Sequence, residues 1–145
     1  MHQTLREMPG PRSEMTAVIS HWDPATHQVR IANCAHVAPL ILRASGEAEH
    51  LDFPKARGLG GRATPKPTVR ASTLEPGDRL IMVSDGVVRP GAGQAGLGVD
   101  GLIAAAARSE RATAADTVRK IHMAVLDQSG DDLDDDATAV CLSVA

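Results

Sequence analysis

The most informative segment of this chain is Arg79-Leu80-Ile81-Met82-Val83-Ser84-Asp85-Gly86. Its apolar run is typical of a buried strand, and Glu75-Pro76-Gly77-Asp78 before it has the composition of a turn. The sequence therefore predicts a strand that ends at Asp85-Gly86. An Asp-Gly pair at such a position is usually only a turn. The functional alternative is that the strand end holds the Asp85 carboxylate rigidly enough to bind a hard cation.

Strand patterns dominate upstream of this segment and helical patterns dominate downstream. Upstream, strands are predicted over residues 16–22, 28–33, 39–43, 48–51 and 68–71, and an exposed loop over residues 54–67. Downstream, helices are predicted over residues 101–108 and from about residue 113, followed by a closing strand over residues 137–144. Hairpins followed by helices and one last strand predict an α+β fold.

An acidic run, Asp131-Asp132-Leu133-Asp134-Asp135-Asp136, leads directly into the closing strand. Because like charges repel, such a run is commonly a solvated loop. Its placement supports a second interpretation, since the sheet would anchor its last members. If the closing strand pairs with residues 79–84, Asp135 and Asp85 converge on one cation, which offsets the repulsion between the carboxylates.

A cysteine and a histidine lie close together in Asn33-Cys34-Ala35-His36. They suggest either nucleophilic catalysis or a zinc site, but zinc requires further Cys or His ligands and Cys141 is the only other cysteine. We therefore predict buried free thiols and a structural histidine. Free thiols indicate a reducing compartment, so a cytoplasmic chain is expected.

Composition limits the classes of partner. The chain has 145 residues, 43% of them hydrophobic and 23% charged, and its net charge is −3. This balance gives no electrostatic reason to expect nucleic acid or an anionic membrane as a partner. No apolar run approaches the roughly 18 residues that a transmembrane helix needs, and no signal peptide is evident. We expect neither a nucleic-acid nor a membrane partner.

Four motifs, in order, resemble bacterial phosphatases of the sporulation stage II protein E (SpoIIE) type, which include the RsbU-like regulators of stress responses. Residues 33–43 resemble the "NAGHpPPlLlr" strand, and residues 74–87 resemble "l.pGDrLllyTDGv". Residues 96–102 are similar to "fG.erL", and Asp135-Asp136-Ala137-Thr138 matches the terminal "DDxT". The resemblance divides the chain into a lead-in segment, residues 1–14, and the C-terminal part of a PPM-type phosphatase domain, residues 15–145.

The resemblance implies a partial α-β-β-α sandwich of antiparallel sheets flanked by helices, with Mn²⁺ or Mg²⁺ bound between the sheets. It also implies phosphoserine/phosphothreonine protein phosphatase activity through a metal-activated water. Asp85 and Asp135 fall on the metal-ligand positions of the family, and Asp136 corresponds to a supporting position beside them. By the same resemblance, the substrate is a phosphorylated regulator similar to an anti-sigma-factor antagonist.

The sequence also departs from the family pattern. Ala35 replaces the usual glycine and Val37 a proline, and residues 1–14 contain neither the "GDyyD" nor the "DvmGHG" segment. We therefore expect an incomplete metal site, because two carboxylates bind hard divalent ions weakly. The alternative function is a catalytically degenerate remnant that acts as a partner-binding or dimerisation module. Missing strands would also leave sheet edges uncovered, which favours a homo-oligomer.

Overall fold

The computed structural model describes residues 1–7, 14–54, 56–88, 96–109, 113–129 and 136–145. Its elements, in chain order, are α1 (His2–Glu7), β1 (Ala17–Asp23), β2 (Gln28–Cys34), β3 (Leu40–Leu42), β4 (Ala48–His50), β5 (Val69–Thr73), β6 (Arg79–Val83), α2 (Asp85–Val88), α3 (Gly98–Ala107), α4 (Ala114–Ser129) and β7 (Ala139–Ser143). The chain divides into two compact units, one of Met1–Ala38 with Asp52–Thr73 and one of Pro39–Leu51 with Leu74–Ala145.

The first unit contains an antiparallel sheet in the order β1-β2-β5. β2 shows the alternation that its sequence predicts, because Val29 and Ile31 are buried while Gln28 and Arg30 are exposed. β1 and β2 are joined by the predicted turn, in which His27 adopts a positive φ of 53°. The hairpin predicted from the sequence is therefore confirmed, and β1 and β5 are the edges of this sheet.

The second unit contains an antiparallel sheet in the order β4-β3-β6-β7, together with the three helices α2, α3 and α4. β3 is buried along its whole length, and Leu80 and Ile81 of β6 are 0% and 1% exposed. Burial of a side chain of this size contributes about 1.5–3 kcal/mol, so these two strands are the centre of the core. Antiparallel sheets and separate helices confirm the predicted α+β fold.

A buried arginine connects the sheet of the second unit to its helices. Arg79 is 6% exposed, and its Nη1 donates hydrogen bonds to the Ala106 carbonyl oxygen, at 3.0 Å, and to Thr117 Oγ1, at 2.9 Å. Ala106 lies in the last turn of α3, where the main-chain carbonyl groups carry partial negative charge. The guanidinium group is therefore held by helix-end and hydroxyl oxygens, without a carboxylate among the described residues.

A buried carboxylate closes the turn before β6. Asp78 is 2% exposed and accepts hydrogen bonds from Ala44 N–H at 2.9 Å, Glu75 N–H at 3.0 Å and Arg43 Nη1 at 2.7 Å. Arg43 also pairs with Glu49 of β4. Burial opposes ionisation of Asp78, but the Glu75 N–H, the Arg43 guanidinium and the Ala44 N–H outweigh it, so the pKa of Asp78 is lowered. The charged carboxylate thus joins the hairpin β3–β4 to β6.

Most boundaries differ from the sequence prediction by one to three residues, and three differences affect the description of the fold. Asp85 does not simply end a strand but begins the short helix α2, and α3 begins at Gly98 instead of Gly101. β5 covers Val69–Thr73 instead of residues 68–71. No helix within the described ranges has both the length and the apolar character needed to cross a membrane.

Candidate metal centre

The closing strand, β7, lies beside residues 79–84, the segment that precedes Asp85. β7 pairs antiparallel with β6, with Ser143 opposite Arg79 and Ala139 opposite Val83. The pairing continues past the strand end, because Ser84 N–H donates a hydrogen bond to the Thr138 carbonyl oxygen at 2.9 Å. The strand pairing on which the metal-site hypothesis depends is therefore confirmed.

This register brings the Asp85-Gly86 segment against the end of the acidic run. A Cβ atom built on Gly86 would lie 2.6 Å from the Asp136 carbonyl oxygen and 3.0 Å from its carbon, closer than side chains approach main-chain atoms. Only glycine allows this approach without a shift of the main chain. Asp85 and Asp136 are both exposed to solvent. Asp135, like the rest of the acidic run from Asp131, lies outside the described residues.

Ser84 links the same two segments through its side chain. Its hydroxyl group donates to the Asp136 carbonyl oxygen at 2.9 Å and accepts from Thr138 N–H at 2.8 Å. Together with the main-chain bond to Thr138, these contacts attach residues 136–138 to the residue that immediately precedes Asp85. Neutral groups therefore contribute directly to the local geometry of this segment.

The donor types in this region fit a hard divalent cation. Asp85 and Asp136 supply carboxylate oxygens, which Mg²⁺ and Mn²⁺ prefer over nitrogen or sulfur. Across the described residues, however, no group of three or more His, Cys, Asp or Glu side chains is arranged to hold a metal ion. The described part of the site thus fits one carboxylate edge of a metal centre and needs further ligands to complete it.

The Asn33–His36 segment has a structural role within the first unit. Asn33 Oδ1 accepts from His36 N–H at 2.8 Å, and Asn33 Nδ2 donates to the His36 carbonyl oxygen at 3.1 Å. These bonds close a tight turn in which Ala35 has a φ of +57°. This left-handed conformation costs an alanine about 1–2 kcal/mol, which explains in physical terms why a glycine suits the position.

Neither cysteine forms a disulfide. Cys34 is buried, and Cys141 of β7 is partly buried. Burial raises the pKa of the Cys141 thiol, although Arg79 and Thr117 act in the opposite direction, so the thiol is protonated and a poor nucleophile at neutral pH. The prediction of free thiols is confirmed.

Two contributors to the site are absent from the candidate residues that the sequence suggested. Ser84 and Gly86 flank Asp85, yet serine and glycine are ordinary turn residues and carry no local signal of contacts with Asp136, which lies 52 and 50 positions away. Their contacts exist only because β6 and β7 pair. They are predictable from the sequence only if that pairing is assumed first.

Sequence comparison identifies one family. The profile of the stage II sporulation protein E (SpoIIE) family matches residues 1–145, which is the whole chain. No curated protein matches the chain significantly.

Solved structures of phosphatase domains have the same fold. The phosphatase domain of SpoIIE from Bacillus subtilis, presoaked with Mn, has a TM-score of 0.72 at 16% identity and covers 89% of this chain. The SiaA-PP2C domain of Pseudomonas aeruginosa has a TM-score of 0.79 at 17% identity over 99% of this chain. RsbX in complex with magnesium has a TM-score of 0.65 at 18% identity over 97% of this chain.

The chain matches only part of each of these solved structures. The chain spans 56% of the SpoIIE structure, 58% of the SiaA structure and 59% of the RsbX structure, which is less than two thirds of each. These likenesses confirm the expected partial PPM phosphatase fold. The match of the family profile to every residue shows that the chain belongs to the stage II sporulation protein E (SpoIIE) family.

Proposed function

We propose that this chain provides one edge of the divalent-metal centre of a phosphoserine/phosphothreonine protein phosphatase. Asp85 and Asp135 are the proposed metal ligands, and Asp136 is a supporting carboxylate. The single observation that carries the proposal is the contact between Gly86 and the Asp136 main chain, which follows from the antiparallel pairing of β6 and β7. This contact keeps the main chain of Asp136 next to the residue that follows Asp85.

The exposed position of the site suits a macromolecular substrate. Asp85 and Asp136 are accessible to solvent, so a phosphorylated side chain on another protein is able to reach them. When bound, Mn²⁺ or Mg²⁺ would lower the pKa of a water molecule and offset the charge of the phosphate group. The role of this chain is to hold hard oxygen donors at the end of a sheet, with main-chain positions fixed by Ser84 and Gly86.

The substrate proposed from the family is a phosphorylated regulatory protein similar to an anti-sigma-factor antagonist. Such a substrate would place the activity in the cytoplasm, in agreement with the two free thiols. The relatives with solved structures were studied with Mn or with magnesium, which supports the choice of these two cations.

The proposal is tested with the purified chain and p-nitrophenyl phosphate. We expect slow hydrolysis in the presence of Mn²⁺ or Mg²⁺, because the two carboxylates form only part of a metal site, and none after addition of EDTA. A phosphoserine peptide provides a second substrate that is closer to the proposed one. Hydrolysis at the background rate with every cation would contradict the enzymatic function and would support the alternative, a remnant that binds a partner without turnover.

We infer further that the chain self-associates through its sheet edges. β1 is an edge strand, and Ile19, its third residue, is 62% exposed. Burial of an isoleucine contributes about 1.5–3 kcal/mol, so Ile19→Lys is expected to weaken association about tenfold or more in analytical ultracentrifugation. Val99→Lys is the matched control, because Val99 is 42% exposed but lies on helix α3. A monomer at all concentrations would contradict the inference.

A further inference from the structure

The Ser84 hydroxyl group makes two hydrogen bonds to one short segment of main chain. It donates to the Asp136 carbonyl oxygen and accepts from Thr138 N–H, at 2.9 and 2.8 Å. A hydroxyl group has one hydrogen atom to donate and two lone pairs that accept. This arrangement therefore uses its single donor and one of its two acceptor sites. One side chain therefore bonds the residues on both sides of Ala137, at the point where the regular β6–β7 ladder ends.

Gly86 limits the same segment from a second direction. The position where its Cβ atom would stand is 2.6 Å from the Asp136 carbonyl oxygen and 3.4 Å from Ala137 N. The Asp136 carbonyl group is thus hydrogen-bonded by Ser84 and in close contact with Gly86. Both neighbours adjoin Asp85, so the main chain of Asp136 is confined next to that residue.

We propose that Ser84 is a positioning residue, which fixes the main chain of residues 136–138 beside Asp85 before a cation binds. The inference rests on the proposed function, because it concerns the same metal edge. Without the hydroxyl group, the main-chain bond from Ser84 N–H to the Thr138 carbonyl oxygen would remain, but repulsion between neighbouring carboxylates would loosen the end of the acidic run. A cation would then have to order this segment as it binds, which lowers its affinity.

The first test measures the positioning itself, without metal. Amide hydrogen exchange of Thr138, followed by NMR in EDTA, is expected to accelerate about fivefold in Ser84→Ala, because a net hydrogen bond is lost. Ser84→Thr retains a hydroxyl group and is expected to restore slow exchange. Ser45→Ala removes an exposed hydroxyl group that accepts one bond from Glu47 N–H and serves as the control. Unchanged exchange in Ser84→Ala would overturn the inference.

The second test measures Mn²⁺ affinity by water-proton relaxation. We expect Ser84→Ala to bind Mn²⁺ about three- to tenfold more weakly than the unsubstituted chain, and Ser84→Thr to bind within about twofold of it. Ile121→Val removes one buried methyl group from α4 and controls for a general loss of stability. A purely structural role would give Ile121→Val and Ser84→Ala the same affinity.

The outcomes separate the two proposals. Equal Mn²⁺ affinity of the unsubstituted chain and Ser84→Ala would overturn the positioning role and leave the metal edge intact. Absence of Mn²⁺ binding by the unsubstituted chain would overturn the proposed function, while the exchange of the Thr138 amide in EDTA would still decide whether Ser84 holds this segment in place. A loss in Ser84→Ala that Ser84→Thr restores would support both.

Discussion

Replacing Asp85 with asparagine is expected to lower Mn²⁺-dependent hydrolysis of p-nitrophenyl phosphate by at least about 100-fold. Changes to groups that only orient metal ligands already cost about 10–100-fold, and Asp85 is proposed as a ligand itself. Asparagine keeps the size of the side chain but removes its charge, so the short helix α2 that begins at Asp85 should persist. The measurement is the initial rate as a function of Mn²⁺ concentration, with circular dichroism as the check on folding.

The matched control for this substitution is Asp52→Asn. Asp52 is exposed in the loop after β4, so the same chemical change there should leave the rate within about twofold. Asp136→Asn should fall between the two, with about a tenfold loss, because a supporting carboxylate acts through its neighbour. Full activity in Asp85→Asn would remove the basis of the proposed metal edge.

Replacing Asp78 with alanine is expected to lower the free energy of unfolding by about 3 kcal/mol. Loss of one partner of a buried ion pair typically costs about 3–5 kcal/mol, and the lower end applies because the Arg43 side chain is 25% exposed. The substitution also leaves the N–H groups of Ala44 and Glu75 without their acceptor. Urea unfolding measures the change.

Glu49→Ala is the control for Asp78→Ala. Glu49 pairs with the same arginine, but its side chain is 42% exposed, so its loss should cost less than about 1 kcal/mol. Equal effects of the two substitutions would show that burial of Asp78 has no special importance.

The same carboxylate makes stability depend on pH. The pKa of Asp78 in the folded chain is lowered from its ordinary value of 3.8. A lowered pKa means that the contribution to stability is complete above the ordinary value and is lost as the pH falls through the folded-state pKa. The free energy of unfolding should therefore decrease below about pH 4, and this decrease should be smaller in Asp78→Asn.

Strands with strong local patterns were predictable from the sequence. β6 was found because its apolar run is bounded by two turns, and its pairing with β7 was inferred from chemistry before it was confirmed. Helix α2 was not predicted, because four residues are too few for a helical pattern to stand out. The start of α3 was missed since Gly98 and Val99 are weak helix formers.

Long-range polar contacts were not predictable in the same way. Asp78 ends a turn and Arg79 begins the next strand, positions at which charged residues are normally exposed, yet both are buried. Apart from Glu75, their partners lie 27 to 38 positions away in the sequence, and no local pattern indicates them. The metal-ligand assignment of Asp85, Asp135 and Asp136 stays a prediction. The substitution Asp85→Asn tests it most directly.

The contacts of the Arg79 guanidinium group with α3 and α4 have a different consequence for acid unfolding. The oxygens that hold Arg79 belong to a carbonyl group and a hydroxyl group, which do not titrate in acid. The attachment of α3 and α4 to β6 therefore persists at a pH that protonates Asp78. Acid should therefore loosen the β3–β4 hairpin of this unit before it separates α3 and α4 from β6.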